Sequence, residues 1–241
     1  MRLKKLLILI GIILFISGCS DFFMICSLNS FYLEKNIVLA PEIEGNWSAH
    51  PIKSKSDSTS KSSSHWELAD TTSTWRIKQL ILEEKIKTKH GKDSIIFKPQ
   101  NHYVVKLIGN NPDSIQYQFN LVLFQVKDYL YGDFSPYEIT SIKNSLMAKE
   151  NYFTVHTLAR VRIQNKQLNV SWLGSDYMKD MIEKKRVRIK YRYVDDAKRL
   201  LLTASSEELT NMIERYGDET RFIDWEAQPA MLKLTQINPL P

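Results

Sequence analysis

The stretch Gln116-Tyr117-Gln118-Phe119-Asn120-Leu121-Val122-Leu123-Phe124-Gln125-Val126-Lys127-Asp128-Tyr129-Leu130-Tyr131 decides the fold class. Tyr117, Phe119, Leu121 and Leu123 recur at period two, with Gln116, Gln118 and Asn120 between them. Strand side chains alternate between faces, so this pattern predicts a half-buried strand. A turn at Lys127-Asp128 then returns the chain through Tyr129-Leu130-Tyr131, which makes an antiparallel hairpin.

The same logic extends in both directions. Upstream, Trp75, Ile77, Gln79 and Ile81 alternate with Arg76, Lys78 and Leu80, and Tyr103–Leu107 is a strand by its β-branched content. Glu83–Lys87 either prolongs the first of these strands or forms a helical turn, and Gly109–Ser114 is a turn by composition. Downstream, Phe153, Val155, Thr157 and Ala159 alternate, Gln164–Gln167 turns, and Leu168, Val170 and Trp172 return. Val187–Tyr193 also alternates, and Leu200–Thr203 reads as a short buried strand.

Two helices complete the reading. Ser175 is placed to cap a helix over 176–185, with Tyr177, Met178, Met181 and Ile182 on one stripe. Ser205 and Glu208 form a capping box for a helix that runs to Tyr216 and stops at Gly217. The expected fold is therefore α+β and mainly β: an antiparallel meander, either a small barrel or a sandwich-like sheet, with two helices in the C-terminal third. No internal repeat is present.

The N-terminus carries a different signal. Arg2, Lys4 and Lys5 precede an apolar run of about 11 residues, Leu6–Ile16, too short for the roughly 20 that a spanning helix needs. Ile16-Ser17-Gly18-Cys19 follows. This resembles the lipobox of bacterial lipoproteins, an aliphatic residue and two small ones before Cys. The resemblance implies acylation of the Cys19 thiol, removal of 1–18 as signal peptide, and attachment to a membrane through the lipid. Two or three acyl chains hold a protein there durably, whereas one binds marginally. Ser20 stands where Asp would favour the inner membrane in that pattern, so the resemblance points to the outer membrane in a Gram-negative cell. Residues 19–40 are then expected to be a lipidated tether, and 41–241 a single β-rich domain.

Composition narrows the partners. Of the formal net charge of +6, Arg2, Lys4 and Lys5 contribute +3, which leaves with the signal, so little remains to argue for nucleic acid. With Cys19 acylated, Cys26 has no partner for a disulfide, and the exported domain relies on its core. Residues 48–64 hold eight Ser and three Lys without an aromatic, and are expected as a mobile surface loop.

The mature region has resemblances of its own. Pro41–Trp47, Phe119–Phe134, Thr154–Thr157, the helix after Trp172 and Leu202–Leu209 resemble a family of uncharacterised bacterial lipoproteins that open with a Gly-x-Trp strand. That resemblance implies a β-rich fold; the family carries no assigned activity, so it informs the fold and not the function. Gly45-x-Trp47 before a meander also resembles the first motif of lipocalins, and Ser175-Asp176-Tyr177 their second, which would imply a cavity for a small apolar ligand. The expected helix at Ser175 departs from that pattern, since lipocalins have a loop there.

Chemistry-bearing residues are sparse. His50, His65, His90, His102 and His156 are scattered, with no pair at metal-ligand spacing, and no nucleophile elbow, phosphate loop or HExxH occurs. His156 reads as a hydrogen-bonded strand residue in preference to a catalytic base, and Asp195-Asp196 as a turn in preference to a cation site. The run Lys184–Arg192 holds six basic residues interleaved with Tyr191, with Tyr193 just beyond; it suits either a solvated strand face or contact with anionic headgroups or polysaccharide. No catalytic, cofactor or metal site is read, and the one assigned site is lipidation of Cys19. The expected function is a non-enzymatic structural or accessory lipoprotein with an envelope protein partner. The alternative is lipocalin-like binding.

Overall fold

A computed structural model describes residues 24–51, 74–87, 93–109, 115–137, 154–194, 199–219, 222 and 231–238. Cys19, His65, His90, Asp195-Asp196 and 52–64 of the Ser-rich stretch lie outside the described residues, as does the side chain of His50. Residues 48–51 of that stretch belong to a strand.

The hairpin read from Gln116–Tyr131 is the centre of a closed barrel. Strands β2 (Gly45–Pro51), β3 (Thr74–Lys87), β4 (Asp93–Ile108), β5 (Ile115–Val126), β6 (Tyr129–Pro136), β7 (His156–Gln164) and β8 (Gln167–Trp172) each pair antiparallel with the next in sequence. β11 (Met231–Asn238) lies between β8 and β2 and closes the eight-stranded ring. The two tight turns use left-handed backbone at Lys127 (φ 52°) and at Asn165 and Lys166 (φ 49° and 60°).

Alternation fills the interior. Leu121 and Leu123 of β5, Phe134 of β6, Ala159 and Val161 of β7, Leu168 and Val170 of β8 and Leu234 of β11 all point inward with Trp47, Trp75 and Tyr103. Gly132 shows how full this space is. A Cβ there would lie 2.9 Å from Leu121 Cδ1, 3.1 Å from Phe134 Cε2 and 3.2 Å from Val161 Cγ2. One end of the ring is stopped by the residues before β2. Val38 N donates to Leu123 O (3.0 Å), Ala40 N donates to the Tyr103 hydroxyl (2.9 Å), and Ile43 is buried in a 3-10 turn over Pro41–Ile43.

A second core lies outside the barrel. The outward residues Phe124, Val126, Tyr131 and Leu158 are covered by α1 (Ser175–Glu183) and α2 (Ser206–Tyr216). The capping box forms as expected: Ser205 Oγ accepts from Glu208 N (3.2 Å), and Glu208 Oε2 accepts from Ser205 N (2.9 Å). Gly217 ends α2 with right-handed φ (−59°), so left-handed geometry is not what requires a glycine there. Space requires it: a Cβ would sit 2.6 Å from the Tyr131 hydroxyl and 2.5 Å from Ile213 O.

Three expectations change. Ser175 is the first residue of α1 and not its cap, which is Gly174; its buried hydroxyl has no partner among the described residues. The strand expected over 187–193 begins only at Tyr191, as β9 (Tyr191–Val194). Lys185 adopts φ 55°, and Arg186 N and Val187 N both turn back to Met181 O (2.9 and 3.3 Å), so this backbone closes α1 instead of extending a sheet. The tether expected over 19–40 is folded from Met24 onward. β1 (Cys26–Ser27) pairs with β7 and, in parallel, with β10 (Arg199–Leu202), while Ile25 and Phe31 are fully buried. β10 in turn pairs with β9, so β1, β10 and β9 extend the sheet from β7.

Candidate functional site

Three features stand out among the described residues: a part-buried carboxylate–imidazole pair, a protruding hairpin and a basic groove. The pair joins Asp133 of β6 to His156 of β7, with Oδ1 2.7 Å from Nδ1. Asp133 is 1% exposed, and its Oδ2 accepts from Phe31 N at 2.8 Å. Thr210 Oγ1 of α2 donates to Phe31 O (3.2 Å). A fixed imidazole next to a carboxylate is half of a nucleophile-activating relay. Here, however, no hydroxyl or thiol is hydrogen-bonded to the ring among the described residues, and the second carboxylate oxygen is committed to backbone. The pair fastens the N-terminal segment to the barrel.

Next to it, buried Arg160 lies against the aromatic rings of β6, its guanidinium 4.0 Å from the centroid of Tyr129. Its Nη2 donates to the Tyr131 hydroxyl (3.2 Å) and to the carbonyl of Gly217 at the end of α2. A cation at a helix C-terminus and over ring faces is well placed electrostatically. It pins α2 to the barrel wall.

The hairpin is the most unusual surface. β2 pairs with β3 only over Thr74–Ile77, and β5 pairs with β4 only over Tyr103–Ile108. Beyond an irregularity after Gln79, the pairs from Ile81↔Pro99 to Lys87↔Asp93 have no further neighbour strand among the described residues. Seven pairs at strand rise make a two-stranded arm of roughly 20 Å. Phe97 is 67% exposed and Ile81 53%, on the face that also carries Ile95, while Leu82 and Ile96 are exposed on the other face. An isolated two-stranded ribbon is marginal in water, and open edges flanked by apolar side chains invite another strand.

The basic run Lys184–Arg192 folds into a groove against α2. Residues 185–189 form one wall, and Glu208, Asn211, Met212, Arg215 and Tyr216 form the other, around about 500 Å³. The Tyr216 hydroxyl donates to Arg186 O (2.5 Å) and holds the walls together. Arg186 is ion-paired to Glu219 (2.7 Å), Lys184 to Asp180 (2.6 Å), and Lys190 lies 3.5 Å from Glu208. Lys185, Arg188 and Arg215 have no ion pair among the described residues. Glu208 is held ionised, below the usual carboxylate range, by the backbone hydrogen bond from Ser205.

The remaining sequence candidates are quiet. His102 is half-buried on β4, and desolvation lowers its pKa. Among the described residues no group of His, Cys, Asp or Glu has metal-binding geometry. Burial pushes the Cys26 thiol up, with Arg199 opposing it more weakly. Since the thiolate is the nucleophile, Cys26 in the native protein at neutral pH should be alkylated by iodoacetamide several-fold more slowly than in urea. Equal rates would contradict this burial.

Comparison with models of protein families, with curated proteins and with solved structures finds no match to this chain. The functional reading therefore rests on these surfaces. Sequence reasoning located the basic run but missed the arm, whose signal was the apolar residues on both faces of Leu80-Ile81-Leu82 and Ile95-Ile96-Phe97.

Proposed function

We propose that this protein is a bacterial envelope lipoprotein, acylated on Cys19, which acts without catalysis by holding another envelope protein through its β3–β4 arm. The observation that carries the reading is the arm itself: two strand edges unpaired among the described residues, and exposed Ile81, Leu82, Ile95, Ile96 and Phe97. A protein partner that adds a strand satisfies both the backbone edge and the apolar faces. The lipid supports the same arrangement. Met24 bridges to Gly174, just past the end of β8 opposite the arm, and Cys19 is within roughly 17 Å of Met24 along even a fully extended chain. The arm then extends from the barrel end farther from the anchor.

A photoreactive amino acid at Phe97, in intact membranes, is expected to give a discrete adduct with a different envelope protein. The same probe at Thr235 on the barrel wall should give none. Absence of an adduct at Phe97, or adducts only between copies of this chain, would overturn the accessory reading. Anchoring is tested separately: Cys19→Ala should leave the precursor unprocessed and abolish incorporation of labelled palmitate.

A second reading, lipocalin-like binding in the lumen, is favoured by the closed antiparallel barrel, with Gly45-x-Trp47 opening its first strand. The crowding around Gly132 weighs against it, and Ser175-Asp176-Tyr177 stands in the first turn of α1 and not in an inter-strand loop. Organic extraction of the purified protein followed by mass spectrometry decides it. A stoichiometric apolar ligand would displace the accessory reading.

A further inference from the structure

We infer that the groove between residues 185–189 and α2 is a binding site for the anionic headgroup of a membrane phospholipid. Its chemistry is two-sided. Lys185, Arg188 and Arg215 offer cationic groups free of ion pairs among the described residues, whereas Val187 is buried and Ile189 packs against the helical core beneath them. Guanidinium groups match phosphate oxygens in pairs, and an apolar floor takes the glycerol and first methylenes that follow a phosphate. Glu208, the acidic residue of the lining, is occupied by Ser205 N and Lys190. The net charge facing a ligand stays positive.

The topology places this chemistry beside the N-terminal end of the fold. Cys26 is in register with Leu201, and Leu201 with Arg192, so Arg192 is two strand spacings, roughly 10 Å, from Cys26. β9 begins two residues after the wall formed by 185–189 and exposes Tyr191 and Tyr193 with their rings 5.6 Å apart at 75°. Tyrosines interspersed with Arg and Lys are the composition of a membrane–water interface. The bilayer's proximity rests on the reading of a lipid on Cys19; the affinity of the groove for the headgroup does not.

The test is chosen to be independent of that anchor. Full-length protein in a neutral sugar detergent is titrated with dihexanoyl phosphatidylglycerol or dihexanoyl phosphatidylcholine, and hydrogen exchange is followed over 185–194 and α2. Saturable protection by the anionic lipid is expected, with little from the zwitterionic one. Each cation near an anionic lipid surface is worth about fivefold in affinity, so Arg188→Gln should weaken binding about fivefold. On the same basis, the triple variant Lys185→Gln, Arg188→Gln, Arg215→Gln should weaken it about a hundredfold. The capping box and Tyr216–Arg186 bond are untouched in these variants, and unchanged exchange in the barrel strands verifies their folding. Equal protection by both lipids, or protection insensitive to the triple variant, overturns the inference. Inorganic phosphate protecting as well as the anionic lipid at equal concentration assigns the groove to a soluble phosphate ligand and overturns it too. Failure of palmitate labelling at Cys19 would bear on the anchor and leave these readouts standing.

Discussion

Asp133→Ala is expected to cost about 3 kcal/mol of folding stability, a large share of the roughly 5–15 that holds a domain together. The carboxylate accepts from Phe31 N at 2.8 Å and lies 2.7 Å from His156 Nδ1, with 1% of the residue exposed. Its removal strands a buried backbone N–H, whose desolvation alone costs about 1–3 kcal/mol, and orphans the ring beside it. The loss should be concentrated where the bond acts. Amides of residues 25–31, including Ile25 bonded to Leu173 O and Leu28 bonded to Leu202 O, should exchange faster, while β3–β5 amides keep their protection. Asp133→Asn keeps an oxygen for Phe31 N and should recover about half of the loss. Urea unfolding followed by tryptophan fluorescence gives the total, and hydrogen exchange gives the location. A loss below about 1 kcal/mol, or one spread evenly over the barrel, would show that Asp133 is not the latch.

That latch also explains why the N-terminal segment was misread as a tether. In Ile25–Leu39 apolar and polar residues alternate with no strand or helix period, because the segment crosses other elements instead of forming one. Phe31 goes under α2, Ile37 bridges to Phe124, and Ala40 meets Tyr103. Its partners lie between 63 and 179 residues away, and nothing local records them. Local signals read well for the opposite reason. Ser205 and Glu208 satisfy each other's backbone within a single turn, and Phe119, Leu121 and Leu123 face a lumen that imposes period two along one strand, with Tyr117 exposed at its rim.

Closure and the basic groove were harder for a shared physical reason. β11 reaches its neighbours only after α1, β9, β10 and α2 have intervened, so the closing pairings Leu234↔Leu168 and Leu234↔Ala49 are invisible to any window of sequence. The alternation of Val187, Ile189 and Tyr191 suggests a strand face. Instead, Val187 and Ile189 are drawn to the helical core, Tyr191 is exposed on β9, and Lys185, Arg186 and Arg188 line the groove, whose opposite wall comes from Arg215 and Asn211 in a later helix.

The filling of the barrel leads to the second large effect, expected for Trp47→Ala. Trp47 is 1% exposed, packs with the interior cluster, and donates from Nε1 to Ile43 O at 2.8 Å. Truncating a buried tryptophan costs about 3–5 kcal/mol when its surroundings cannot collapse. Here they are braced. The ring wall is continuous, the 3-10 turn that stops the end is tied to Trp47 itself, and Trp75, Phe134 and Trp172 form a mutual aromatic cluster with centroids 5.6–6.3 Å apart. The space left should therefore persist as a dry apolar cavity, which an aromatic solute can occupy. Indole is expected to raise the urea midpoint of Trp47→Ala and leave that of the unmodified protein unchanged. Trp47→Phe keeps most of the volume and gives up the bond to Ile43, so its loss should fall to about 1–2 kcal/mol. If Trp47→Ala costs less than about 1 kcal/mol, or if indole stabilises the unmodified protein equally, the lumen already contains usable space. The barrel would then not be filled, and surface binding would lose its advantage over lumenal binding.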